Sequence, residues 1–232
     1  MAESILDRLA SKSNAGQDSF SGPKIPTIKV DGSGSGPTAG HILKFANDEM
    51  IDIGNKLNIQ IIRVRKKLWQ GGELTKYFSE EYDSSANDVI TLRMSTRATD
   101  KDAWSKPVEV AKGTAQEIRQ TNEVKVVSVV YGIVDKELVK LTVKGASCTG
   151  SDGLYDYLDS FKPQLALQFE TNVSVSLVQK NRAISYHRMH FTRGTEITEG
   201  FETVEAYLDM IGGSKTEATQ VVAPNDTSLD DF

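Results

Sequence analysis

With 232 residues, a net charge of −5 and one cysteine, Cys148, the chain has the size of one large domain and excludes both an internal disulfide and a zinc site built on several cysteines. Hydrophobic residues make up 38 % of it, and no apolar run approaches the ~20 residues that span a bilayer, so no membrane contact is expected. Met1, Ala2, Glu3 and Ser4 lack the basic and apolar segments of an export signal, which points to a cytoplasmic protein.

Residues 11–40 are rich in Ser, Gly and Pro. Such a stretch buries too little apolar area to offset its ordering entropy, so residues 1–40 are expected to form a flexible arm, with an edge strand at 25–30. From Leu57 the pattern changes: Leu57, Ile59 and Ile61 alternate with polar residues, and Ile62 and Val64 lead into Arg63, Arg65, Lys66, Lys67 and Trp69. This predicts a strand running into a basic loop. A second strand is expected at 89–94 and a short helix at 113–120.

Val124, Val126, Val127, Val129, Val130, Tyr131, Ile133 and Val134 are too rich in β-branched residues for a helix and predict a strand. Asp135 and Lys136 then turn the chain into a strand with Leu138, Leu141 and Val143. Ser151 is expected to cap a helix carrying Leu154, Tyr155, Leu158 and Phe161, stopped before Pro163. Residues 165–178 alternate again, 179–182 turn, and Ile184, Tyr186, Met189 and Phe191 return. A last helix at 201–211 ends at Gly212 and Gly213. The order from Val124, with an earlier strand from Leu57 or Val89 in front and the helix between the third and fourth strands, is that of a five-stranded oligonucleotide-binding barrel. The expected class is therefore mainly β, an OB-fold-like barrel over 41–213 with added helices and strands. A small α+β sheet is the rival.

Charge is unevenly spread. Residues 60–194 hold 20 basic and 16 acidic side chains, whereas residues 195–232 hold one lysine against 9 acids. Residues 214–232 lose all periodicity and are expected to be a disordered acidic tail ending in Leu229, Asp230, Asp231 and Phe232. A terminal ring beside carboxylates suits an apolar pocket rimmed by Lys or Arg on a partner. This end resembles that of the single-stranded DNA-binding proteins of bacteria and their phages, and the large body looks more like a phage-type member. The resemblance implies a protein that coats unpaired DNA during replication, recombination or repair and recruits partner enzymes through its tail, and it leaves self-association open. It implies no cofactor.

Binding of this kind takes cations for phosphates and aromatic faces for bases. One candidate cluster is Arg63, Arg65, Lys66, Lys67 and Trp69. A second is Arg97, Lys101, Trp104 and Lys106. The third is Lys180 and Arg182 at a hairpin tip, followed by Tyr186 and Arg188. Trp69 reads equally as a core edge or a stacking platform, and Trp104 is the stronger platform. Tyr155 and Phe169 read as core. On the last strand, Ile184, Tyr186 and Arg188 are expected to face the groove, and Ser185, His187 and Met189 to face away.

Catalytic signals are weak. Residues 212–216 lack the glycine of a phosphate loop, and His187 and His190 fall on opposite faces of a strand. Two other readings stay open. Glu123 and Lys125 with Asp100 or Asp102 would suit a Mg-dependent nuclease, and the same sheet would suit a non-catalytic virion or assembly protein.

Overall fold

The computed structural model describes residues 5–6, 9, 24–32, 35–83, 88–98, 103–162, 164–179, 181 and 185–212. Its strands are β1 (Thr27–Val30), β2 (Ile42–Ala46), β3 (Glu49–Gly54), β4 (Lys56–Gly71), β5 (Thr75–Ser79), β6 (Val89–Thr96) and β7 (Val108–Thr114), then β8 (Lys125–Val134), β9 (Glu137–Lys144), β10 (Phe169–Gln179) and β11 (Ser185–Glu196). Helix α1 (Ala115–Thr121) precedes β8, α2 (Leu154–Asp159) lies between β9 and β10, and α3 (Phe201–Gly212) follows β11. The fold is mainly β, as expected.

Local chemistry explains several of these elements. The valine run forms β8. Asp135 and Lys136, both at positive φ (50° and 68°), make the tight two-residue link to β9. Asn47 and Asp48 (φ 51° and 67°) link β2 to β3 in the same way. Thr114 and Glu117 form a capping box on α1: the Thr114 hydroxyl accepts from the Glu117 N–H, and the Glu117 carboxylate accepts from the Thr114 N–H at 2.7 Å. Helix α2 starts after Gly153 rather than after Ser151. A Cβ on Gly153 would stand 2.5 Å from the Thr149 carbonyl oxygen, so the chain can pass there only as glycine.

The described strands form one open mixed sheet in the order β3-β2-β1-β9-β8-β4-β5-β6-β7, with β10 paired to β4 and to β11. The pairs β4–β8, β8–β9, β4–β10 and β10–β11 are all antiparallel and surround the core. The barrel is not closed: β9 does not pair with β11. Its free edge is taken instead by β1, in parallel register with Thr27 opposite Lys140. The segment expected as an edge strand inside a flexible arm is thus an interior strand, bonded on its other side to β2. Between β11 and the turn after β9, the Met189 N–H donates to the Ser147 hydroxyl and the Phe191 N–H to the Asp152 carbonyl, each at 3.0 Å.

Three apolar clusters hold this frame. The first, between the faces of β4, β8, β9, β10 and β11 and closed by α2, contains Ile59, Val130, Leu141, Leu154, Phe161, Val173 and Phe191. The second lies under α3, where Val204, Leu208 and Ile211 cover Ile62, Val129 and Tyr131, with Leu9 buried among them. The third joins β6 and α1 through Ile90, Leu92 and Ile118 to Leu68. In β4 a bulge between Ile61 and Arg63 switches the alternation, so that Ile62 and Arg63 both face the side of the second cluster while Ile61 and Val64 face the first. Opposite that bulge, Gly132 leaves no room: a Cβ would lie 2.4 Å from Ile59 Cγ1 and 2.8 Å from the Gln60 carbonyl oxygen. Gly132→Ala is expected to cost about 1–3 kcal/mol by overpacking, read as a lower urea midpoint at unchanged slope.

Candidate nucleic-acid interface

Strand β4 is a single run of 16 residues, so the basic stretch from Arg63 to Trp69 stays in the sheet instead of leaving it as a loop. The ladder carries its outward residues across three strands. Arg63 stands opposite Tyr131, and Tyr131 opposite Lys140. Lys67 stands opposite Val127, and Val127 opposite Lys144. Trp69 lies between Lys125 on β8 and Phe78 on β5. Directly opposed residues share a face, so these side chains form two rows on one surface.

The lower row is covered and neutralised. Arg63 and Arg65 are 3 % and 1 % exposed, which corrects the expectation that they face a groove. Both reach Asp83, Arg63 at 3.1 Å and Arg65 at 3.4 Å. Burial pushes the Arg63 guanidinium down, the Arg65 charge adds to this, and Asp83 opposes it. Beside them Glu81 accepts from Tyr131 and, at 3.0 Å, from Lys140.

The upper row opens into a groove of about 1330 Å³ lined by Trp69, Arg119, Lys125, Lys144, Tyr155, Tyr186 and His187, among others. A cavity of about 350 Å³ adjoins it through Trp69, Lys144 and His187 and adds Lys29 and Lys67. No carboxylate among the described residues lines either space. Among the described residues, none of Lys29, Lys67, Arg119, Lys125 and Lys144 has an ion-pair partner. Burial pushes the Lys67 ammonium down, with Glu81 opposing and Lys140 reinforcing the shift.

The aromatic walls are held by local packing. A Cβ on Gly71 would lie 3.3 Å from the Trp69 ring, so the indole rests over a residue without a side chain, with the Lys67 ammonium 5.9 Å from its centre. The Tyr155 hydroxyl bonds Ser128 at 2.8 Å, and the Lys66 ammonium lies 5.6 Å from its ring. His187 covers Gly40, whose φ of +79° and lack of a Cβ both suit that contact. The buried Cys148 thiol, pushed up by burial, belongs to the same wall.

Of the sequence-derived candidates, Trp69 and Tyr186 line the groove and Lys67 the adjoining cavity. Lys66 lies on the opposite face of β4, against Tyr155. Arg188 is committed elsewhere: it donates to Asp152 at 2.6 Å and to the Thr149 carbonyl at 3.0 Å, while His190 bonds the other Asp152 oxygen at 2.5 Å. The hydrogen bond from His190, with the nearby charges of His190 and Arg188, holds the Asp152 carboxyl below the ordinary carboxylate range against the effect of burial. His187, expected to face away, lines the groove, and Tyr155, expected in the core, does too. Arg97, Trp104 and Lys106 form a separate group on the β5–β7 wing, with Lys106 exposed. Lys101, Lys180, Arg182, Leu229, Asp230, Asp231 and Phe232 lie outside the described residues. The sequence reading missed Lys29, Arg119 and Lys144 and gave Lys125 only to the nuclease alternative. Strand order brings the three lysines together, and Arg119 joins them from α1.

Glu123 stands exposed at one end of the groove, and Asp100 and Asp102 lie outside the described residues. Among the described residues no three His, Cys, Asp or Glu side chains come together as a metal site, and no helix is long and apolar enough to cross a membrane. No family model, curated protein or solved structure matches the chain.

Proposed function

We propose that this chain is a single-stranded DNA-binding protein that holds unpaired bases against Trp69, Tyr155 and Tyr186 and the phosphates on Lys29, Lys67, Arg119, Lys125 and Lys144. The observation that carries the reading is a groove in which ring faces lie beside cations that have no carboxylate partner among the described residues. A duplex hides its base faces, whereas an unpaired strand can present phosphate and base to such a surface together. The strand order supports the reading. Four antiparallel pairs around the first core cluster, with a helix between the third and fourth strands, agree with an oligonucleotide-binding barrel left open between β9 and β11, and such barrels bind on the outer face of their second and third strands. Here those strands are β8 and β9, which supply Lys125 and Lys144.

Roles in replication, recombination or repair, and recruitment of partner enzymes by Leu229, Asp230, Asp231 and Phe232, belong to the same proposal and rest on the sequence of the acidic end. The test is a titration of oligo-dT and of a duplex of equal length at two salt concentrations. The single strand is expected to bind more tightly, with affinity falling steeply as salt rises. Trp69→Ala is expected to cost about 1–3 kcal/mol of that affinity through lost stacking. Failure to bind oligo-dT in dilute buffer, or equal affinity for the duplex, would refute the reading.

A further inference from the structure

We propose that the β5–β7 wing carries a second phosphate subsite for the same strand, in which Trp104 is a positioning residue that holds Lys76 and Arg97 rather than a platform for a base. This rests on the groove reading and extends its footprint. The wing continues the binding face: Trp69 is paired with Phe78 and Gly71 with Lys76, so Lys76 and Phe78 stand on the side of the sheet that carries Trp69. From strand spacing and rise, Lys76 lies roughly 8 Å from Trp69 along that face.

The Lys76 ammonium lies 4.2 Å from the centre of the Trp104 ring, and the Arg97 guanidinium carbon 5.6 Å from it. A ring already occupied by cations offers a base a poor stacking surface. The cations, however, keep N–H groups directed away from the ring, and the attraction of the indole quadrupole restrains two otherwise mobile side chains. The backbone on both sides of the ring is fixed as well. The Arg97 N–H donates to the Leu74 carbonyl and the Ser105 N–H to the Thr96 carbonyl, each at 2.8 Å. The Thr96 N–H in turn donates to the Ser105 hydroxyl at 3.0 Å. Among the described residues neither Lys76 nor Arg97 has a carboxylate partner, so an arriving phosphate would break no ion pair there.

Anisotropy titrations of the full chain with labelled oligo-dT, short enough to fill only the groove or long enough to cross the wing, separate the possibilities. Site sizes of about 4–16 nucleotides per oligonucleotide-binding unit set the range to scan. Changing Lys76→Gln and Arg97→Gln together is expected to weaken the long oligomer only, and to reduce the slope of log K against log salt by about 1.4 for two lost phosphate contacts. Trp104→Ala is expected to shift the slope in the same direction, and Trp104→Phe, which keeps a ring for the cations, to preserve it. An unchanged slope in the double variant, while Lys67→Gln still lowers it, would overturn the wing subsite and leave the groove reading standing. Lower affinity at an unchanged slope in Trp104→Ala would make the ring a base platform and overturn the positioning role. A wild-type chain that binds neither oligomer would remove both readings.

Discussion

Replacing Lys67, Lys125 and Lys144 together by glutamine is expected to lower the affinity for oligo-dT by roughly 100-fold at about 0.1 M salt, and to flatten the salt dependence by about 2 in log–log slope. Each lysine then makes one phosphate contact on a single strand and releases about 0.7 of a counterion. All three line the two joined spaces and none is spent on a carboxylate, so their loss should fall on binding and not on the fold. Lys67 adds a pH signature. Burial holds its ammonium below the ordinary lysine range in the free protein, and a phosphate beside it would raise it. Its contribution is then complete below the free value and is lost as pH climbs from the free value towards the bound one. Affinity should fall on the alkaline side, and Lys67→Arg, whose charge does not titrate there, should remove that part of the fall. Equal affinity of the triple variant and the parent would place the phosphates elsewhere.

Asp83→Ala is expected to be among the most destabilising single changes in the chain, on the order of 3–5 kcal/mol, because it takes a carboxylate from two guanidinium groups that cannot return to water. Arg63 and Arg65 are 3 % and 1 % exposed, and Asp83 meets both from the loop beyond β5. Unfolding in urea with the parent as reference measures the loss. Replacing both arginines by apolar residues of similar volume should cost far less than removing Asp83, since no charge then stays buried without that partner. A loss below about 1 kcal/mol for Asp83→Ala would show that other groups carry the two cations.

These arginines also mark how far local pattern reaches. The valine-rich β8, the Asp135–Lys136 turn and the alternation of β10 are dictated within a few residues of sequence, and they form where periodicity and turn chemistry place them. Alternation puts Arg63 and Arg65 on one face, and because β4 runs on to Gly71 instead of opening into a loop, Lys67 and Trp69 join them. Whether that face is wet depends on α3, over a hundred residues further on, which covers the lower part and stops short of the upper. Lys125 and Lys144 meet across the β8–β9 hairpin, but Lys29 joins them only because β1 inserts in parallel beside β9, a pairing with no signature in either segment. Strands β2 and β3 were missed beside a Gly- and Ser-rich run, although Asn47 and Asp48 are residues that favour a tight turn.

That insertion of β1 has a mechanical consequence. With the edge of β9 already satisfied, the two walls of the cleft meet along a seam stitched by Ser147, Asp152, Arg188 and His190 instead of by a ladder. Parting those walls would also uncover Met189 and Phe191 of the first apolar cluster, so the seam keeps the cleft in one shape. Under the proposed function, a polymer laid along the open outer side of that cleft needs no end to thread, and a covalently closed circle would be as accessible as a linear molecule.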